Sequence, residues 1–285
     1  MIDFLVILGV VWLLFAIVQD LRKREIANWL NFSLIIFAMI YRLLYSIFSN
    51  DYGFILAGLF GLIIFFMIAN LFYYLRLFAG GDAKLMIALG VLIPFTESFY
   101  SNLLIFFIFI IALLLGGVVY SLAYSGGLAI KNAKAFSKEF KKEFARKTKF
   151  VYLGLGAGFA VIILSIITSQ IAFIILGILL ILLPFVYFYT KAIEKSCMMA
   201  YVDPKKLTIG DWIVEEIKIP RTKKIIKPYW EGLSEEDLNL IKKYYKKKVL
   251  VKQGIPFSPS FLIAFIVLVY ILYLGKGDWN YPFGF

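Results

Sequence analysis

The sequence contains no histidine, a single cysteine (Cys197) and charged side chains at only 17% of its 285 positions. The missing imidazole excludes Ser-His-Asp triads, His-ligated zinc or haem, and histidine acid-base work. One thiol cannot form an internal disulfide or a multi-cysteine metal site, and it has no histidine to activate it. Soluble domains carry about 25% charged and about 45–50% apolar residues. Here 62% are hydrophobic and the mean hydropathy is +0.88, an excess that no globular core absorbs. The chain therefore reads as a polytopic α-helical membrane protein with no cofactor and no metal. Carboxylate chemistry remains open to it, as does a lysine or serine nucleophile. The net charge of +12 is assigned to anionic membrane lipid and not to nucleic acid.

Apolar runs fall at roughly 4–19, 32–49, 53–75, 83–97, 102–124, 151–168, 171–190 and 259–274. A span needs about 20 residues, so about eight transmembrane helices are expected, or seven if 151–190 is one element. The split is placed at Thr168-Ser169-Gln170, the polar cluster in that stretch. Residues 4–19 lack a basic leader and a small-residue cleavage site, and so read as a retained helix. With the N-terminus outside, the inner segments 21–31, 76–84, 125–150 and 191–258 hold 3, 2, 8 and 15 Lys/Arg, or 28 of the 30. Only Arg42 and Lys276 are left over. This sorting follows the positive-inside rule and places the protein in the cell membrane as a multi-pass chain.

The expected organisation has five parts. Residues 1–124 form a catalytic membrane domain of five helices, and 125–150 a basic amphipathic cytoplasmic loop. Residues 151–190 form a membrane hairpin, 191–258 a small cytoplasmic α+β domain, and 259–285 the last transmembrane helix and tail. In the loop, Phe136, Phe140 and Phe144 recur every four residues among lysines. That pattern suits a helix lying on the headgroups or one packed on its neighbour. In the small domain, residues 207–219 predict a β-hairpin around a Gly-Asp turn. Ser234-Glu235-Glu236-Asp237 predicts a capped helix through about Lys248, with Leu238, Ile241 and Tyr245 on one face. A core of about 60 residues is marginal, so it is expected to lean on the membrane helices.

Ionisable residues at membrane depth mark functional sites by default. Arg42 lies mid-run and is expected to pair with a carboxylate inside the bundle. Asp20 ends the first helix, and Asp82 begins the fourth from the same, cytoplasmic side. The helix over 83–97 is about 22 Å long at about 1.5 Å per residue, against a hydrocarbon core of about 30 Å. Its start is therefore expected to be recessed, with Asp82 in a cavity that water reaches. Two carboxylates sharing such a site cannot both ionise easily, so one keeps a proton. The pair can then activate water and hydrogen-bond a scissile carbonyl, without metal, thiol or imidazole.

At these residues the sequence resembles the type IV prepilin peptidase family, in particular its archaeal preflagellin (archaellin) peptidase branch of G-x-G-D membrane aspartic proteases. Asp20-Leu21-Arg22-Lys23-Arg24-Glu25-Ile26-Ala27-Asn28 is similar to the motif D-x5-I-P-N. Gly81-Asp82-Ala83-Lys84-Leu85 is similar to G-D-x-K-L. Residues 255–262, Ile-Pro-Phe-Ser-Pro-Ser-Phe-Leu, resemble the stretch I-P-F-x-P-x-F-L that enters a last helix. Ala79 stands where the first glycine of G-x-G-D is usual. Ala27 stands where proline is usual, which is expected to loosen the break after the first helix. The resemblance implies endoproteolysis of prepilin- or preflagellin-like precursors at the cytoplasmic face, with Asp20 and Asp82 as catalytic residues. The dipoles of their helices favour Asp82 as the anion and Asp20 as the proton carrier. Gly80 and Gly81 are expected to admit substrate backbone or to pack helices closely. Lys84 either holds Asp82 ionised or snorkels to the interface. Pro256 and Pro259 are expected to mark the entry to the last helix and to line the site.

Three other readings fit the same residues. A proton- or cation-coupled transporter would use paired carboxylates as a relay. A non-catalytic scaffold for a surface filament would not need them. An intramembrane protease of the signal-peptide-peptidase type would be expected to carry tyrosine before its first aspartate, where Gln19 stands here.

Overall fold

A computed structural model describes residues 2–96, 98–220 and 224–274. Arg221, Lys223 and Lys276, which enter the charge count above, lie outside the described residues. In chain order the helices are α1 (Ile2–Lys23), α2 (Asn28–Ser49), α3 (Gly53–Tyr74), α4 (Gly80–Leu92) and α5 (Phe99–Lys131). There follow α6 (Ala133–Arg146), α7 (Thr148–Thr168), α8 (Ile171–Cys197), α9 (Glu235–Tyr244) and α10 (Ser258–Leu274). Each of the eight apolar runs contains a helix, although the helix of the run 83–97 stops at Leu92. Among the described residues six helices are long and apolar enough to cross a membrane, namely α1, α2, α3, α5, α7 and α8, while α10 is a shorter apolar helix. The protein is a polytopic helical membrane protein carrying a small α+β region.

The chain divides into two compact units, residues 1–123 with 255–285, and residues 124–254. In the first, α4 is only 13 residues long, about 20 Å at ~1.5 Å per residue. It lies against α2 and α3. Gly61 and Gly90 allow the contact with α3, because a side chain on Gly61 would collide with the Gly90 carbonyl. A Cβ on Gly90 would sit 2.6 Å from that of Phe65. Helices lacking a hydrophobic drive between them associate through such small residues.

The last carbonyls of a helix have no partner within it, and in an apolar setting that cost is not met by water. Arg42 meets it at the C-terminal end of α4. Fully buried on α2, it donates from Nε to the Val91 carbonyl at 2.8 Å and from Nη2 to the carbonyls of Leu92 and Pro94. Its Nη1 donates to the Phe54 carbonyl at 2.8 Å, and the guanidinium lies 4.3 Å from the Phe54 ring centre. Gly58 leaves room for the side chain, since a Cβ there would be 2.5 Å from Arg42 Cδ. The expected carboxylate partner is thus replaced by backbone carbonyls, whose partial charge at a helix C-terminus attracts a cation.

In the second unit α7 and α8 form the hairpin anticipated at 168–170, with Ser169 in the left-handed region at φ 55°. Gly154 accommodates the ring of Pro184 from within α8, and Gly158 faces Gly177. The aromatic face of α6 packs on α8. Phe140 and Phe144 both meet Phe188, and Phe136 meets Tyr189. The aromatic face thus packs on a neighbouring helix, one of the two readings of this segment.

The small α+β region departs from the expected hairpin. β1 (Met199–Val202), β2 (Trp212–Ile213), β3 (Ile217–Lys218), β4 (Ile225–Ile226) and β5 (Val249–Lys252) form two sheets. Their orders are β1-β5-β2 and β3-β4, all antiparallel. Residues 207–219 therefore do not close on themselves, because β2 and β3 each pair with a more distant strand. The cap at Ser234 forms as expected, its Oγ accepting from the Asp237 N–H at 3.2 Å, but the helix ends at Tyr244. Leu238 and Ile241 are buried with Ile213, Ile226 and Val251. The sheet follows directly from α8 and is tied to it by the Lys252–Glu194 ion pair at 2.8 Å.

Candidate active site

Four helix ends meet at one end of the first unit: the C-terminus of α1 and the N-termini of α2, α4 and α10. α1 stops at Lys23 and the chain reverses through Arg24, at φ 56°, whose N–H donates to the Asp20 carbonyl. The reversal is held by Gln19, whose Oε1 accepts the Ala27 N–H at 2.9 Å. Ala27 has φ −64° and ψ 136°, a conformation that proline also adopts. Proline would supply no N–H here. The break expected to be loosened by Ala27 is instead fastened by a bond that only a non-proline residue makes.

Asp20 sits on the inner face of α1, 7% exposed, and its Oδ2 accepts the Ser258 N–H at 3.0 Å. That donor is a free first-turn amide of α10, where an anion is favoured. Pro259, the next residue, needs no N–H at this position and fits the first turn. Pro256 is buried just before it. Both prolines thus stand at the entrance to α10, as anticipated.

Asp82 is the third residue of α4, half-buried, and it lies within electrostatic reach of Asp20. The Ala79 N–H is a hydrogen-bond partner of its carboxylate, the reach-back of an N3 acid to the N-cap amide. Ala79 has φ −73° and ψ 162°, ordinary extended backbone that requires no glycine. Each aspartate therefore meets a helix N-terminal amide. The dipole argument that separated Asp82 as anion from Asp20 as acid no longer distinguishes them.

Gly81 faces Ile26, with 3.7 Å from a built Cβ to the Ile26 N and Cβ, so α4 starts level with the α1–α2 turn. Its shortfall lies at the far end, where Arg42 caps it seven residues before α2 ends. Lys84 donates to Asn28 Oδ1 at 2.7 Å and makes no ion pair among the described residues. It ties α4 to α2 and does not clamp Asp82. A Cβ on Gly80 or Gly81 would meet nothing closer than ordinary van der Waals contact. These two glycines leave space; the close helix packing is made by Gly61 and Gly90.

Polar groups that the motifs do not flag also lie in this unit. Asn31 is 3% exposed and Ser258 and Ser260 are 0% exposed, and their side-chain polar atoms have no hydrogen-bond partner in the described structure. Leaving such a group unsatisfied costs about 1–3 kcal/mol. The signal available in the sequence was a polar residue inside or at the mouth of an apolar run.

Residues 7–121, which hold both aspartates and all of α2, α3 and α4, match the type IV leader peptidase family. The chain is 38% identical to a preflagellin peptidase of Methanocaldococcus jannaschii over 94 residues, 33% of this chain and 39% of that protein. It is 34% identical to a preflagellin peptidase of Methanococcus maripaludis over 98 residues, 34% of this chain and 42% of that one. A preflagellin peptidase of Methanococcus voltae is 30% identical over 97 residues. The chain thus spans about two fifths of the length of the curated relatives it matches. No solved structure matches it. The stretch from residue 7 to 121 is thus similar to type IV leader peptidases, and the relatives named here are preflagellin peptidases.

Proposed function

We propose that this protein is a membrane aspartic endopeptidase that removes leader peptides from prepilin- or preflagellin-like precursors. The observation that supports the reading is that Asp20 and Asp82, 62 residues apart in sequence, lie within electrostatic reach of each other in an apolar helical unit. Charge sorting puts that end at the cytoplasmic face, within a domain spanning 1–124, and the basic segments against anionic lipid. The matched region, 7–121, supports the same assignment.

The reaction needs one proton shared by two carboxylates. The ionised aspartate takes a proton from water as the water oxygen bonds to the scissile carbonyl carbon. The protonated aspartate gives its proton to the carbonyl oxygen. Collapse of the tetrahedral adduct breaks the C–N bond: the departing nitrogen takes the proton from the newly protonated carboxyl, while a hydroxyl of the adduct returns its proton to the other carboxylate, which restores the resting pair. The space beside Gly80 and Gly81 admits an extended substrate backbone at Asp82. Pro256 and Pro259 shape the opposite wall by fixing the start of α10, and Lys84 steadies α4 through Asn28.

The test is to reconstitute the full chain in lipid with precursors that carry a short basic leader before a hydrophobic helix. A leader-sized mobility shift is expected, and Asp20→Asn and Asp82→Asn should each slow it by at least ~100-fold. Equal processing by all three proteins, or ion flux that depends on the aspartates without cleavage, overturns the reading.

A further inference from the structure

We propose that Ser258 is a positioning residue for the attacking water, acting through its side-chain hydroxyl. The inference rests on the endopeptidase reading above. Ser258 is the first residue of α10, and its backbone N–H already binds Asp20 Oδ2 at 3.0 Å. That bond holds the Ser258 backbone against the carboxylate, with the hydroxyl oxygen three covalent bonds from the bonded nitrogen. The residue is 0% exposed and its Oγ has no partner in the described structure.

Serine at a helix start ordinarily uses its hydroxyl as a cap, accepting an N–H two or three residues on from the N-cap position. Ser234 does this for α9. Ser258 stands one position too late, the next residue is Pro259 with no N–H to offer, and the Ser260 N–H is taken by the Phe257 carbonyl at 3.0 Å. Its hydroxyl caps no N–H in the described structure. A buried hydroxyl with no partner, on a residue whose amide binds the site carboxylate, is placed to be satisfied by water or ligand.

Of the unpartnered buried groups, Ser258 is the one bonded to a site aspartate. Ser260 Oγ turns towards α5, 3.8 Å from where a side chain on Gly117 would begin. A water held between Asp20 and Ser258 gives one hydrogen to the carboxylate and the other to Oγ, which leaves a lone pair free to attack. Ser258 neither gains nor loses a proton over the cycle.

The test uses the purified full chain in lipid with steady-state kinetics on a cleaved precursor. Ser258→Ala keeps the amide that binds Asp20 and removes only the hydroxyl. The expected result is a fall in kcat of about 10- to 100-fold with KM within twofold of wild type and an unchanged thermal midpoint. Ser260→Ala should leave kcat within twofold. Should the alanine variant not fold, Ser258→Cys keeps the volume and hydrogen-bonds weakly, and the same kcat loss is expected of it. Wild-type kcat in the variant that folds, or a loss confined to KM, overturns the proposal. If wild type cleaves and Asp20→Asn does not while Ser258→Ala is unimpaired, this inference alone falls. If wild type cleaves nothing, both fall.

Discussion

Arg42 is the residue whose chemistry departs furthest from its sequence setting. A cation in the middle of an apolar helix invites a search for an anion, yet its partners are four carbonyl oxygens and an aromatic ring. Its planar fork of donors suits several acceptors at once, which a lysine cannot match. Arg42→Leu removes the charge but strands the carbonyls of Val91, Leu92, Pro94 and Phe54. A loss of about 3 kcal/mol or more is expected, read as a lowered thermal midpoint in detergent, with precursor cleavage reduced because α4 carries Asp82. Retention of both would show that the carbonyls find other partners. No residue pattern in the sequence announces this arrangement, since the acceptors belong to backbone 12 to 52 residues away. The two aspartates were legible because their spacing and flanking residues form patterns. The Ser258 and Ala27 amides were not, because backbone donors leave no signature in side-chain identity.

Among the elements, α4 is held from both ends and along its length. Gly61→Ala adds helix propensity worth about 1 kcal/mol but drives a methyl into the Gly90 carbonyl. Overpacking of this kind costs about 1–3 kcal/mol, so a net loss of stability is expected, measured by thermal unfolding, together with slower cleavage. The contact of α6 with α8 offers a second handle, through Glu143 on α6 and Lys195 on α8. The hydrogen bond from Lys195 holds the Glu143 carboxyl below the usual glutamate range. A carboxyl depressed on folding contributes stability above its unfolded value, about 4.3, and loses it as pH falls through the folded one. Wild type and Glu143→Gln should therefore differ in thermal midpoint at pH 7 and converge towards about pH 3, as followed by calorimetry. Helices of 20 or more apolar residues could be read directly from composition. The strands could not, since two to four residues carry no usable alternation, and β1 with β5 pairs residues some 50 positions apart.

For the whole molecule the decisive quantity is orientation. Under the proposed orientation, α6 lies inside and the α4–α5 connection outside. In a Cys197→Ser background, Lys138→Cys should react with a membrane-impermeant maleimide only after permeabilisation. Tyr100→Cys, at a position 83% exposed, should react on intact cells. The opposite pattern would place the aspartates on the outer face. The bond from Ser258 to Asp20 spans 238 positions of sequence, so a helix that emerges early from the ribosome is finished by one that emerges much later. Both acids are translated and inserted early, but the wall that holds one of them waits for residue 258 of 285. Synthesis itself thus imposes a delay, and a chain truncated before that point carries both acids without the amide that orients the first.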